Sequence, residues 1–104
     1  MQTIVIKLSP EKLKNPDLDL RYVIPDELEK ATGGAIQDNG YDYLPDGSMG
    51  IWLETEDAGA NYPLIVELFR NNKFLDNDLS ESAEIYISEN DSEELENCAM
   101  VYPE

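Results

Sequence analysis

The chain has 104 residues, the size of one domain, and its single cysteine, Cys98, excludes an intramolecular disulfide. Its 23 acidic and 7 basic residues give a net charge of −16, which repels nucleic-acid phosphates and anionic membrane surfaces. Histidine is absent, which removes the commonest general base and the usual zinc ligand.

The composition is that of a folded protein in a reducing compartment. Six Tyr, two Phe and one Trp are too many aromatic residues for a disordered acidic tail, so we expect one folded domain over residues 1–104. No run has the length of a signal peptide or a transmembrane helix, and the lone cysteine fits the cytoplasm.

The first third of the chain predicts a strand and two helix starts. Residues 3–8 are rich in β-branched side chains and predict an opening strand. Ser9 and Pro10 predict a helix start that Pro16 limits to about one turn. Residues 17–24 fit a second strand or an extended connection equally well. Pro25 and the acids after it predict a short helix over residues 25–32 that ends at two glycines.

The middle of the chain predicts a β-hairpin. Turn signals at residues 38–40 and 45–47 bound a strand at 41–44, and a second strand follows at 49–55. Alternation separates the side chains of the second strand into two faces, with Met49, Ile51 and Leu53 on one and Trp52 and Glu54 on the other. Trp52 therefore lies either under a helix or exposed for a partner.

The last third predicts a helix and two strands. Residues 61–71 place Leu64, Ile65, Leu68 and Phe69 on one helical stripe, although the β-branched pair at 65–66 also fits a strand. Residues 74–82 are expected to form a polar loop, and the alternation over 82–88 predicts a strand. An acidic turn at 89–96 precedes an optional last strand at 98–102.

This order of elements predicts the fold class. Strand, helix, strand, strand, helix, strand is the split βαβ pattern of an α+β ferredoxin-like sandwich, in which an antiparallel sheet carries two helices on one face. The opposite face is expected to be wet.

Most catalytic chemistry lacks its residues. No phosphate-binding glycine loop is present, and negative charge around Cys98 discourages its thiolate, so we expect a buried structural cysteine. The spacing of Asp76, Asp78 and Ser80 is similar to the start of a calcium loop, but Glu81 replaces the required glycine and Ile87 the required glutamate. We expect no catalytic activity, cofactor or metal.

Negative charge is concentrated at the C-terminal end, where residues 74–104 hold ten acids and no base. Such a surface can bind a lysine- and arginine-lined cleft, with aromatic side chains as anchors. The candidate partner-binding residues are Trp52, Asp76, Asp78, Glu81, Glu84, Tyr86, Glu89, Asp91, Glu93, Glu94, Glu96 and Tyr102. A second aromatic group, Tyr41, Tyr43, Trp52 and Tyr62, lies near the acids Asp42, Glu54, Glu56 and Asp57.

In size, charge and expected topology the chain resembles the immunity proteins of bacterial contact-dependent inhibition and other polymorphic toxin systems. The resemblance implies a cytoplasmic protein, monomeric or weakly dimeric, that occludes a basic toxin domain, commonly a nuclease. Two alternatives stay open. One is a nucleic-acid mimic that inhibits another DNA- or RNA-binding protein; the other is a non-catalytic subunit that forms a homo-oligomer through Ile51, Trp52 or Ile85.

Overall fold

The fold is described from a computed structural model that covers residues 1–92 and 94–103. In chain order the elements are β1 (Gln2–Leu8), α1 (Leu20–Ala31), β2 (Ile36–Tyr43), β3 (Met49–Thr55), α2 (Ala58–Asn71), α3 (Leu79–Ser82), β4 (Ala83–Ser88) and β5 (Ala99–Tyr102). Two short 3-10 turns, Pro10–Lys12 and Leu95–Asn97, lie in the connections.

The five strands form one antiparallel sheet in the order β2-β3-β1-β4-β5. The first four strands have the arrangement of a ferredoxin-like sandwich, which confirms the predicted fold class, and β5 adds an edge strand. In the sheet centre, Ile6 of β1 faces Ile51 on β3 and Ile85 on β4.

One hydrophobic core lies between the sheet and the helices. Alternate residues of β1, namely Ile4, Ile6 and Leu8, point into it, as the period of a strand requires. The helices contribute a stripe of side chains with helical spacing: Leu20, Ile24 and Leu28 from α1, and Ile65, Val66 and Phe69 from α2. Both long helices therefore pack on the same face of the sheet.

Helix α1 begins five residues earlier than Pro25, so residues 20–24 are neither a strand nor an extended connection. A proline inside a helix removes a backbone hydrogen bond at a cost of about 3 kcal/mol. Leu20, Ile24 and Leu28 are each fully buried, and their burial outweighs that cost. The predicted helix end before Gly33 is confirmed.

Strand β2 also differs from the prediction. It runs over Ile36–Tyr43, and the expected turn at residues 38–40 is instead a β-bulge within the strand. Gly40 has φ +96°, a conformation that glycine adopts without strain, so the turn-like sequence is accommodated without ending the strand. The predicted turn at 45–47 is confirmed.

The segment from Ala58 to Asn71 is a helix, which decides against a strand. Its buried stripe is rotated from the predicted one, since Leu64 is 43% exposed whereas Val66 is buried. The following residues are more structured than a polar loop, because Phe74, Asn77 and Leu79 are buried and α3 forms at its end. No helix in the described part of the chain is long and apolar enough to cross a membrane.

The neighbours Leu64 and Ile65 provide a test of the orientation of α2. We expect Ile65→Ala to lower the free energy of unfolding by about 2–5 kcal/mol, because it opens a cavity in the core. Leu64→Ala is the matched control and should change it by less than about 0.5 kcal/mol, since the side chain is exposed. Urea denaturation measures both, and equal losses would contradict the observed orientation.

Candidate protein-binding surface

The face of the sheet opposite the helices is not wet at its centre, in contrast to the sequence expectation. Val5 of β1 is fully buried there, between its register partners Trp52 on β3 and Tyr86 on β4. Trp52 is only 8% exposed, and its ring lies over Gly50, where a Cβ would come within 2.2 Å of it. Trp52 thus lies neither under a helix nor exposed as an anchor.

Residues 89–92 and 94–98, here called the acidic segment, run beside this face. Thr3 of β1 is 1% exposed, and its Oγ1 donates a hydrogen bond to the carbonyl oxygen of Asn90 at 2.9 Å. The backbone N–H of Ser92 donates to the same Oγ1, also at 2.9 Å. Further along, Leu95 shares a groove with Trp52. Thr3 therefore holds the segment against the sheet through two hydrogen bonds.

Most predicted acids of this segment point to solvent. Glu89, Asp91, Glu94 and Glu96 are exposed, whereas Ser92 between them is buried. Glu93, also a predicted site residue, lies outside the described residues. The structure thus brings four of the predicted carboxylates onto one segment with a defined path.

Two further predicted residues, Glu84 and Tyr86, contact each other. The hydroxyl of Tyr86 donates to Glu84 Oε1 at 2.6 Å, and Lys12 Nζ lies 3.6 Å from Glu84 Oε2. Burial raises the pKa of Tyr86 to about 12, with help from the hydrogen bond and charge of Glu84 and the charge of Asp46. Both side chains already have partners within the fold.

Asp46, in the turn between β2 and β3, forms the best-defined ion pair on this face. Its carboxylate accepts a hydrogen bond from the backbone of Ser48 and lies 3.0 Å from Lys7 Nζ. Hydrogen bonds from Ser48, backbone first and then side chain, lower the pKa of Asp46 to about 2, and Lys7 adds to this. Lys7 is therefore neutralised locally by a carboxylate that stays ionised.

The upstream acids Asp76, Asp78 and Glu81 lie apart from the acidic segment. They line a pocket at the other end of β4 together with Lys12, Lys14 and Lys73, so the local charge there is mixed. Asp78 caps α3 by accepting from the N–H of Ser80 at 3.1 Å. The C-terminal acids that the structure describes consequently do not form one continuous surface.

A buried asparagine organises the turn that carries these upstream acids. Asn77 is 1% exposed, and its Nδ2 donates to the carbonyl oxygens of Asn15, Phe74 and Leu75. Its Oδ1 accepts from the N–H of Asn15 at 2.8 Å. The turn is shaped by these contacts.

Tyr102 does not present its hydroxyl as an exposed anchor. It is half-buried, and its hydroxyl donates to the carbonyl oxygen of Ser80. The register of β5 pairs Tyr102 with Ile85, so it lies on the helix side of the sheet, away from the acidic segment. Its predicted role in partner binding has no support from this position.

The exposed aromatic residues are instead three tyrosines from α1 and β2. Tyr22, Tyr41 and Tyr43 are 54%, 41% and 52% exposed, and successive rings meet edge to face at 6.2 and 6.4 Å. The guanidinium of Arg21 lies 4.8 Å from the ring centre of Tyr22 and 4.6 Å from that of Tyr41. We call Tyr22, Tyr41 and Tyr43 the tyrosine cluster.

Sequence reasoning grouped Tyr41 with Tyr43 but missed Tyr22 and Arg21. Tyr41 and Tyr43 alternate on one strand face, which the strand period makes visible. Tyr22 joins them only because residues 20–24 are helical, whereas a strand or an extended connection was expected there. A helix prediction for this segment would have placed Arg21 and Tyr22 next to each other on α1, outside the buried stripe of Leu20, Ile24 and Leu28.

Cys98 and possible metal ligands are the other candidates for a functional site. Burial raises the pKa of the Cys98 thiol, opposed in part by a hydrogen bond with Ser92, so the reactive thiolate is disfavoured. Cys98 is half-buried. Among residues 1–92 and 94–103, no group of three or more His, Cys, Asp or Glu side chains could hold a metal ion.

The chain matches no protein-family model, no curated protein and no solved structure.

The attachment of the acidic segment to Thr3 can be tested by Thr3→Val. The substitution leaves the buried N–H of Ser92 without its acceptor, so we expect a loss of about 1–3 kcal/mol in unfolding free energy and faster hydrogen exchange at Ser92. Ser88→Ala removes an exposed hydrogen bond to Asn90 and serves as the control, with a change below about 0.5 kcal/mol. Unchanged exchange at Ser92 would contradict the attachment.

Tyr86 should lose its proton only near pH 12, against about 10 for an unperturbed tyrosine. Because its folded pKa is raised, its contribution to stability is complete below about pH 10 and is lost as the pH rises through 12. Glu84→Gln should lower this pKa only partway, since burial is the largest cause. NMR of 13C-labelled tyrosine, assigned with Tyr86→Phe, measures it, and titration near pH 10 would count against the buried position.

Proposed function

We propose that the protein binds and neutralises a basic protein by covering its active site with the acidic segment and exposed aromatic side chains. The observation that carries this proposal is the exposure of Glu89, Asp91 and Glu96 on a segment that Thr3 holds against the sheet. Among the described residues, no ion pair joins these three carboxylates to a Lys or Arg.

The positions of the basic residues support a cationic partner. Lys12, Lys14 and Lys73 share one pocket at the far end of β4, and Lys30 pairs with Asp26 on α1 at 2.9 Å. Lys7, near the acidic segment, is paired with Asp46. The field beside the acidic segment is therefore strongly negative, and such a field speeds association with a cationic surface and weakens as salt rises.

The tyrosine cluster can supply aromatic contacts, which the carboxylates cannot. Tyrosine is enriched among residues that dominate binding energies, and Tyr43 lies on β2 next to Asp42, an exposed acid. Because Tyr41 and Tyr43 pair with Ile51 and Met49, the cluster lies on the helix side of the sheet and would contact the partner separately from the acidic segment.

The resemblance to immunity proteins leads us to propose a cognate toxin domain, most simply a nuclease with a basic active site, as the partner. Inhibition would follow from occlusion, with partner lysines and arginines pairing with the carboxylates and substrate excluded. A homo-oligomer through Ile51, Trp52 or Ile85 is disfavoured, because these side chains are 0%, 8% and 0% exposed.

The proposal is tested by capture from a lysate of the source organism at low and high salt, followed by an activity assay on the captured protein. We expect a basic domain whose binding weakens with salt and whose toxic or nuclease activity is blocked stoichiometrically. Glu89→Gln with Asp91→Asn should weaken binding about tenfold at low salt, because two contacts with cationic groups are lost.

The matched control is Glu27→Gln with Glu29→Gln, which removes the same charge from exposed positions on α1, behind the sheet. This variant should bind within about threefold of the parent, since only the screened long-range field changes. Equal weakening in the two variants, or a partner whose activity persists in the complex, would refute inhibition by the acidic segment.

A further inference from the structure

A groove on the helix-free face adjoins the acidic segment. It has a volume of about 740 Å³ and lies between that segment and the turn joining β2 to β3. Its apolar walls are Tyr43, Leu44, Pro45, Trp52 and Leu95. We call it the Trp52 groove.

The rim of the groove is anionic. Asp42 and Glu96 line it from opposite sides, and both are exposed. The cation within it is Lys7, whose side chain is 18% exposed and is paired with Asp46 at 3.0 Å. An apolar channel edged by carboxylates is complementary to a side chain with an apolar stem and a cationic head.

Trp52 contributes apolar surface to the groove. It is 8% exposed and its indole Nε1 is buried from solvent, so a bound segment could contact the ring carbons but not this nitrogen.

We propose that the Trp52 groove takes an extended, arginine-bearing segment of the basic partner. The guanidinium pairs with Asp42 and Glu96, and its stem packs along the apolar wall formed by Pro45 and Leu95. Arginine fits better than lysine, because its planar head stacks on aromatic rings and bonds carboxylates in a fork. This inference rests on the proposed function, since it names where and how the basic partner is held.

Trp52 is the only tryptophan of the chain, so its emission reports directly on the groove. The probe is the peptide acetyl-Gly-Arg-Gly-Arg-Gly-amide, titrated to millimolar concentration, with the corresponding lysine and citrulline peptides for comparison. We expect a saturable change in Trp52 emission with the arginine peptide, a several-fold weaker affinity for the lysine peptide, and no saturable change with the uncharged citrulline peptide.

Variants locate the binding. Asp42→Asn with Glu96→Gln should weaken the arginine peptide about tenfold, while the protein remains folded because both side chains are exposed. Glu27→Gln with Glu29→Gln again removes equal charge behind the sheet and should change the affinity less than about twofold. Equal effects of the two charge variants, or equal affinity for arginine and citrulline peptides, would overturn the assignment.

Failure of this inference can be separated from failure of the proposed function. If the captured basic domain binds Asp42→Asn with Glu96→Gln as tightly as the parent but loses affinity for Glu89→Gln with Asp91→Asn, the groove is not the contact although the inhibitor function stands. If no basic domain is neutralised but the arginine peptide still requires Asp42 and Glu96, the groove stands and the inhibitor function fails.

Discussion

Strand β1 is the element on which the rest of the structure depends, because it is paired along both edges and buried on both faces. Its even-numbered residues, such as Ile4 and Ile6, form the floor of the core beneath the helices. Its odd-numbered residues organise the opposite face, where Thr3 binds the acidic segment, Val5 is covered and Lys7 holds Asp46. A shift of one residue in register would exchange these two sets and destroy both faces at once.

The carboxylates that the structure describes divide into those that have a role in the fold and those that have none. Where carboxylates approach the sheet they have partners, as in the contacts of Glu84 with Tyr86 and of Asp46 with Ser48. Others cap helices, as Asp57 does for α2 and Asp78 for α3. The carboxylates of Glu89, Asp91 and Glu96 have no such structural use among the described residues, and like charges placed close together oppose folding. These three carboxylates are the ones that the proposed binding function uses.

The periodicity of hydrophobic residues predicted most of the strands. The features that it did not predict depend on contacts between residues distant in sequence. The alternation in β3 and β4 identified both strands and the faces of Ile51 and Trp52, since a period of two is a local property. Local signals misled at Pro25 and at residues 38–40, because burial of the helix stripe and pairing with β3 outweighed the preferences of proline and of a turn sequence.

The sequence predicted which acidic residues belong to the candidate site but not how they are arranged in space. The acidic segment was recognised from its sequence alone, yet its path depends on Thr3, a polar residue some 87 positions away whose side chain faces the helix-free side. No local pattern marks such a contact. The division of the C-terminal acids also follows from the fold, because β4 places Asp76, Asp78 and Glu81 at one end and the acidic segment at the other.

Attachment of the acidic segment to the sheet bears on how a small acidic protein can be selective. A disordered acidic tail binds many basic surfaces and must be ordered each time, at a cost in conformational entropy. Here Ser92 is buried and bonded to Thr3, so part of that ordering is completed during folding. Carboxylates at defined positions beside the rigid walls formed by Trp52 and Pro45 can reject cationic surfaces of the wrong shape, which charge alone cannot do.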